Sequence, residues 1–580
     1  MILTAVDWAV ILAYFVVSLG IGVVFSRRAS ASATEYFLTG RSMPWWLAGT
    51  SMVATTFAAD TPLAVTGLTV KYGVAGNWLW WSFVMSGMLT VVFYARLWRR
   101  AGVMTDAEFA ELRYAGRPAA FLRAFRACYL GLAVNAIIIG WVTAAMAKIL
   151  TLTLGVHKWQ AIVALFALTG LYSTLAGLWG VVVTDFFQFI LAMTGCIALA
   201  VFALGAVGGL GGLVAGLGAR FPDGAPLRLV PDLDSAWMPA LTFFVYLAVN
   251  WWASWYPGAE PGGGGYVAQR ILATKDERHA LLAALWFNVA HYALRPWPWI
   301  LVALVSMVLY PGLADPEAGY VRVMVEHLPP FWRGFLLAAF FAAYMSTIST
   351  QLNWGASYLV NDVYRRFWAP ARAETHYAGV GRLATLGIMG VGGVATLGID
   401  TVEGAWKFLL ALGAGTGLVY LLRWYWWRIN AWSEVSAMAA ALVFSLGVKW
   451  GLGLSPDDPR GFAVLLLWTT GATTVVWLAV TYLTPAEPRE TLRAFAARVR
   501  PGGPGWRAVA PDAGGGQGIA AGLGLWALGC AVVYLGLFGI GGLVLGRPAR
   551  GAGALVAAAV LTWYLVRATR PPAGAEGRVV

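Results

Sequence analysis

FAAYMSTISTQLNWGASYLVNDVYRR, residues Phe341 to Arg366, is a long apolar stretch that carries Ser346, Thr347, Ser349 and Thr350 in its interior. A helix facing lipid would place hydrocarbon at those positions. On a helix, Ala343, Ser346 and Thr347 follow i, i+3, i+4, so one backbone carbonyl and two hydroxyls share a face. Ser349 and Thr350 repeat the offset a turn later. Uncharged oxygens gathered in a low-dielectric setting suit a hard monovalent cation that has to be bound and then released. The same small residues also suit close helix packing, with hydroxyls bonded back to i−4 carbonyls, and this stretch alone leaves both readings open.

The rest of the chain fixes the solvent around that helix. Hydrophobic residues make up 60% of the 580 and charged residues 12%, with a mean hydropathy of +0.70; soluble domains run at roughly 45–50% and 25%. Apolar runs recur from end to end, which predicts an all-α polytopic membrane protein of about fifteen spans and not a barrel of short alternating strands. The first run, Asp7 to Phe25, has no basic region ahead of it and is followed by Arg27, Arg28 and Arg41. It reads as a retained helix with its N-terminus outside the cytoplasm. Later arginine-rich loops, around Arg96 to Arg126, Arg270 to Arg278, Arg365 to Arg382 and Arg489 to Arg507, then fall on the cytoplasmic side, as does the C-terminus. The net charge of +13 is thus a topology signal, scattered over separate loops, and needs no nucleic-acid partner. The three cysteines lie in apolar runs, the histidines show no zinc spacing, and no phosphate-binding loop appears; disulfide framework, zinc site and direct ATP drive are excluded.

A second informative stretch is GTSMVATTFAADTPLAVTGL, residues 49–68. It holds Thr55, Thr56, Asp60, Thr61 and Pro62 at hydrocarbon depth. Proline removes a backbone donor and strands a carbonyl one turn earlier, so the helix is expected to break near Phe57 to Thr61. Free carbonyls at a break are ligands for an alkali ion. Asp60 reads as a substrate or proton ligand, as a cap on the second half-helix, or as the partner of a buried base.

These residues, with EYFLTGRSMPWW (Glu35 to Trp46), YSTLAGLWGVVVTDFFQF (Tyr172 to Phe189), Gln269-Arg270, AAYMSTIST with its trailing NDVYRR, and LLRWYWWRINAWSEVSAM (Leu421 to Met438), resemble the sodium:solute symporter family. The likeness runs from about residue 5 to about residue 480. It implies a LeuT-like core of two inverted five-helix repeats, 42–208 and 235–428, preceded by an extra helix and loop at 1–41. Further helices at 429–484, a cytoplasmic linker at 485–518 and C-terminal spans at 519–580 follow. It implies Na⁺ as the coupling ion. The first ion would take the carbonyls of Ala54, Phe57 and Ala343 and the hydroxyls of Ser346 and Thr347; a second would take Asp185, Ser349 and Thr350.

The expected activity is sodium-coupled import of a small organic solute by alternating access, in the cell membrane. The solute class is left open among sugar, amino acid, carboxylate and quaternary amine, as is the oligomeric state. Thr56, Asp60, Thr61, Trp80, Asn250, Trp251, Trp255 and Tyr256 are the cavity candidates. Thr61 and Trp80 replace the glutamine and glutamate of the family's sugar carriers. Tyr256 to Arg270, a Pro/Gly run, is either an unwound gate or a cytoplasmic turn. The rival reading is a sodium or solute sensor, or a membrane-embedded enzyme; no reactive constellation at compatible spacing supports the enzyme.

Overall fold

The computed structural model describes residues 3–29, 32–253, 262–399, 401–451, 453–454, 458–511 and 518–569. Its regular structure is helical. Among the described residues there is no strand, and one bridge of extended type pairs Met43 with Thr274.

Ten helices among those residues are long and apolar enough to cross a membrane. Other runs are interrupted. Trp45–Thr56 ends where Phe57 leaves helical geometry (φ −91°, ψ 65°), and the helix resumes at Asp60–Tyr72. Pro62 has no N–H to offer the Ala58 carbonyl, which is met by the Thr61 amide at 3.3 Å instead. The expected break is therefore present, and proline chemistry explains its place.

A second interruption follows Ala240–Ala248 and the short turn Asn250–Trp252, with the helix restarting at Gly265–Ala273. Gly262 and Gly263 sit at φ +85° and +78°, a region closed to most side chains. The Gly262 carbonyl accepts the Trp98 indole N–H at 2.8 Å. Trp255, Tyr256 and Glu260 lie outside the described residues.

Lys158–Ala206 is a helical run of 49 residues, about 74 Å if straight. Lys158 reaches the Ile399 carbonyl (3.4 Å) while Phe202 packs on Trp332 (6.3 Å between ring centres). Trp332–Trp368 and Glu374–Leu397 are consecutive crossings, so Trp332 and Ile399 share one side of the bundle. The run accordingly goes out and back.

The helix with the hydroxyls, Trp332–Tyr358, occupies the centre. It packs on Lys158–Ala206, Ala5–Ala29, Asn135–Leu154, Glu374–Leu397 and Trp45–Thr56, and every residue from 342 to 358 is buried. At Gly355 a side chain would meet the Gly131 carbonyl and the Asn135 amide at 2.5 Å, so only glycine admits this approach. Within the expected linker, Arg489–Val499 is helical with Leu492, Phe495 and Val499 buried, and the Trp506 indole donates to the Trp424 carbonyl at 2.8 Å. The last helices dock on Val74–Ala101 through Trp526 to the Met85 carbonyl (2.8 Å) and Tyr534 to the Trp81 carbonyl (3.0 Å).

Candidate functional site

The broken helix and the hydroxyl helix touch at Thr55, the residue between the expected Ala54 and Phe57 carbonyls. The Thr347 hydroxyl donates to the Thr55 carbonyl at 2.7 Å and lies 3.1 Å from its own helix's Ala343 carbonyl. Thr55 and Thr350 hydroxyls are 3.2 Å apart. At the break the Phe57 amide is shared between the carbonyls of Val53 (2.9 Å) and Ala54 (3.0 Å), so the expected Ala54 ligand accepts a bond within its own helix. All of these groups are buried. The donor set consists of neutral, hard oxygens from two helices, which fits an alkali cation and not a soft metal.

One turn along, the chemistry changes. Asp185, fully buried on the Lys158–Ala206 run, accepts from Ser346 at 2.6 Å and from Ser51 at 2.5 Å. Ser346 thus spends its proton on the acid and stands between the two expected ion sites. Ser349 bonds the Ser346 carbonyl at 3.2 Å, within its own helix, and Thr350 accepts from Arg270 at 2.8 Å. Of the second expected set, Ser349 bonds within its own helix, and Thr350 and Asp185 are linked through the Arg270 guanidinium, which lies 2.8 Å from Thr350 and 3.9 Å from Asp185 and which sequence reading had treated only as a family mark.

The cavity candidates divide. Thr56, at the last position before the break, has its hydroxyl 2.9 Å from His291 Nδ1 and 3.1 Å from Arg295 Nη1. Thr61 closes the gap by donating to the Thr56 carbonyl at 3.1 Å. Asp60 is fully buried; its Oδ2 accepts the Trp406 indole N–H at 3.1 Å, and its Oδ1 has no hydrogen-bond partner among the described residues. A buried acceptor left unmatched is costly unless something arrives to satisfy it. Trp80 stacks on Tyr292 (5.8 Å) and meets His291 edge-on (5.7 Å), which brings it beside Thr56.

Asn250 and Trp251 do not join this group. Asn250 donates to the Leu79 carbonyl (2.8 Å) and Ser82 (3.1 Å), and Trp251 packs against Trp526 of a C-terminal helix (6.4 Å). Sequence reading missed His291, Arg295, Tyr292 and Trp406. The signal was HYALRPWPW, residues 291–299, where a basic residue and two prolines share an apolar run. Arg295 stacks over Trp299 (5.2 Å) and Phe57 (5.9 Å), which anchors the break from the other side.

Two interrupted helices, one of them laid against a buried row of hydroxyls and an acid, define an ion-coupled secondary transporter. Residues 36–443 match the sodium:solute symporter family, and the chain belongs to it. A sodium/glucose cotransporter of Vibrio parahaemolyticus is 23% identical over 476 residues, covering 77% of this chain and 86% of that one. A sodium/myo-inositol cotransporter 2 of Sus scrofa is 24% identical over 501 residues, covering 78% and 71%. A solved structure of a Na⁺-coupled sialic acid symporter, substrate-bound and outward-open, superposes with a TM-score of 0.68 at 20% identity, covering 84% of this chain and 99% of that one. The fold is thereby LeuT-like, the protein is a multi-pass membrane transporter and not an enzyme, and Na⁺ is its coupling ion.

Proposed function

We propose that the protein imports a small hydroxyl-bearing solute, a sugar or polyol, across the cell membrane. One Na⁺ is held by the carbonyls of Ala54, Phe57 and Ala343 and the hydroxyls of Ser346 and Thr347. The observation that carries the ion site is the Thr347 hydroxyl, which ties the central helix to the Thr55 carbonyl at the break. An ion shared by both helices stabilises the arrangement that also binds solute, and its loss to a sodium-poor cytoplasm loosens both. One charge crossing 100 mV supplies about 2.3 kcal/mol and a tenfold gradient about 1.4 kcal/mol. Together they support accumulation of about a few hundredfold.

The solute would sit at the break between Thr56, Asp60 and Thr61 on one side and Trp80, His291 and Tyr292 on the other. The unmatched Asp60 oxygen accepts a hydroxyl, and the aromatic faces cover an apolar ring face. The names of the sugar and inositol carriers among its relatives support this class. The fifteen spans follow if Ala5–Ala29, the two interrupted helices and the pair Val402–Gly413 and Gly417–Tyr425 each cross once and Lys158–Ala206 crosses twice, beside the other nine long apolar helices, with the N-terminus outside and the C-terminus inside.

The test is a thermal-shift screen of sugars, polyols, amino acids, carboxylates and quaternary amines on the purified full chain, each with and without Na⁺. Stabilisation by a sugar or polyol that requires Na⁺ is expected. Stabilisation by a quaternary amine or an amino acid alone overturns the solute class, and the same response in K⁺ as in Na⁺ overturns the ion site.

A further inference from the structure

Asp106 lies in the turn between the helices Ala95–Ala101 and Phe109–Arg113 and is 2% exposed. Its Oδ2 accepts the Gly265 backbone N–H at 2.8 Å. Gly265 opens the half-helix Gly265–Ala273, and the preceding Gly264 has no side chain with which to cap it, so a carboxylate from another part of the chain does so. Asp106 Oδ1 accepts the hydroxyl of Tyr358, the last residue of the central helix. Arg126 Nη2 stands 3.6 Å from Oδ2, and its Nη1 is 3.3 Å from Glu434, which also takes Arg423 (3.1 Å) and Tyr114 (2.6 Å). The acid is thus steadied from the helix Gly116–Cys128 as well.

The half-helix meets the central helix a second time, where Gln269 donates to Asn353 Oδ1 at 3.1 Å. Gly265, Gln269, Asn353 and Tyr358 are all buried, so the seam between the two helices is closed on the arginine-rich side, cytoplasmic in the topology proposed above. A solute leaving on that side needs the two helices to part. A cap would take one oxygen of the acid; Asp106 gives its other oxygen to the central helix. We propose that Asp106 is a positioning residue for transport, a clamp that holds the half-helix Gly265–Ala273 against the central helix and keeps the inner exit shut. The proposal rests on the sodium-symport reading above and adds the exit-side restraint to it. Parting Gly265 from Tyr358 breaks at least one bond to a charged acceptor, so the clamp lowers the open fraction by about tenfold or more.

The experiment introduces Ala268→Cys, at a fully buried position on the half-helix, and times its modification by a membrane-impermeant thiol reagent in inside-out vesicles. The modified peptide is read by mass spectrometry, which leaves Cys128, Cys196 and Cys530 out of the count. Ala268→Cys alone should react slowly, Tyr358→Phe should quicken it about tenfold, and Asp106→Ala at least as much. The chain with both should react no faster than with Asp106→Ala alone, since one clamp is removed only once. Tyr358→Phe leaves the cap on Gly265 in place, which preserves the test should Asp106→Ala fail to fold. An unchanged rate with Tyr358→Phe, a multiplied rate in the double variant, or the same quickening with reagent at the opposite face each overturns the proposal. Added Na⁺ should slow the reaction in every chain; no effect of Na⁺ on any of them overturns instead the symport reading beneath it.

Discussion

Two oxygen clusters meet one buried helix at the neighbouring residues Ser346 and Thr347 and are completed in opposite ways. Around Thr347 the groups are neutral: two carbonyls and hydroxyls from both helices. Around Asp185 a formal negative charge is balanced by the standing positive charge of Arg270 through Ser51. A neutral set holds a cation only as tightly as ligand dipoles allow, which suits an ion that has to leave each cycle. A buried acid is too costly to leave alone, so it carries a permanent counter-charge. The difference between the two clusters is one of charge: neutral oxygens meet at Thr347, while an acid and a guanidinium share hydroxyls at Asp185.

The strongest way to break that comparison is the double substitution Ser346→Ala/Thr347→Ala. It should abolish Na⁺-dependent thermal stabilisation altogether; a surviving response would move the exchangeable ion elsewhere. Next comes Asp185→Asn, which strands a buried guanidinium and should cost about 3–5 kcal/mol of stability, read as a fall in denaturation midpoint. Added Na⁺ should not restore it. Arg270→Gln should lose a similar amount; an unchanged midpoint in either variant would erase the distinction.

A smaller effect is expected at the break. Asp60→Asn should weaken solute binding about tenfold, the range of one hydrogen bond to a charged group, and leave Na⁺ affinity within about twofold. A dominant loss of Na⁺ affinity would reassign Asp60 to the ion. The smallest is Trp406→Phe, which removes the donor to Asp60 Oδ2; because it reaches the solute only through Asp60, it should shift solute affinity by about fivefold.

The break at Phe57 was legible because one residue type, Pro62, makes it unavoidable, and the hydroxyl face was legible because helical periodicity aligns it. Both are local. Arg270 was not legible as the counter-charge of Asp185, since its partners Ser51, Asp185 and Thr350 come from distant parts of the chain and no spacing rule joins them. His291 and Arg295 were passed over for a related reason: a lone base in an apolar run takes its meaning from what the fold sets opposite it, here Thr56 and Phe57. The tryptophans show the reverse error. Trp80 and Trp251 stood together as cavity candidates, yet Trp80 stacks beside the break while Trp251 packs against a C-terminal helix.

Met43 links the two interrupted helices by backbone alone: its amide donates to the Ala273 carbonyl (3.0 Å) and its carbonyl accepts from the Lys275 amide (3.1 Å). Such a two-rung latch has no side chain to mutate away and no charge for salt to screen. Any rocking that parts those ends must unzip both rungs together, so deuterium uptake at the amides of Met43 and Lys275 becomes a direct clock for how often the carrier opens on that side.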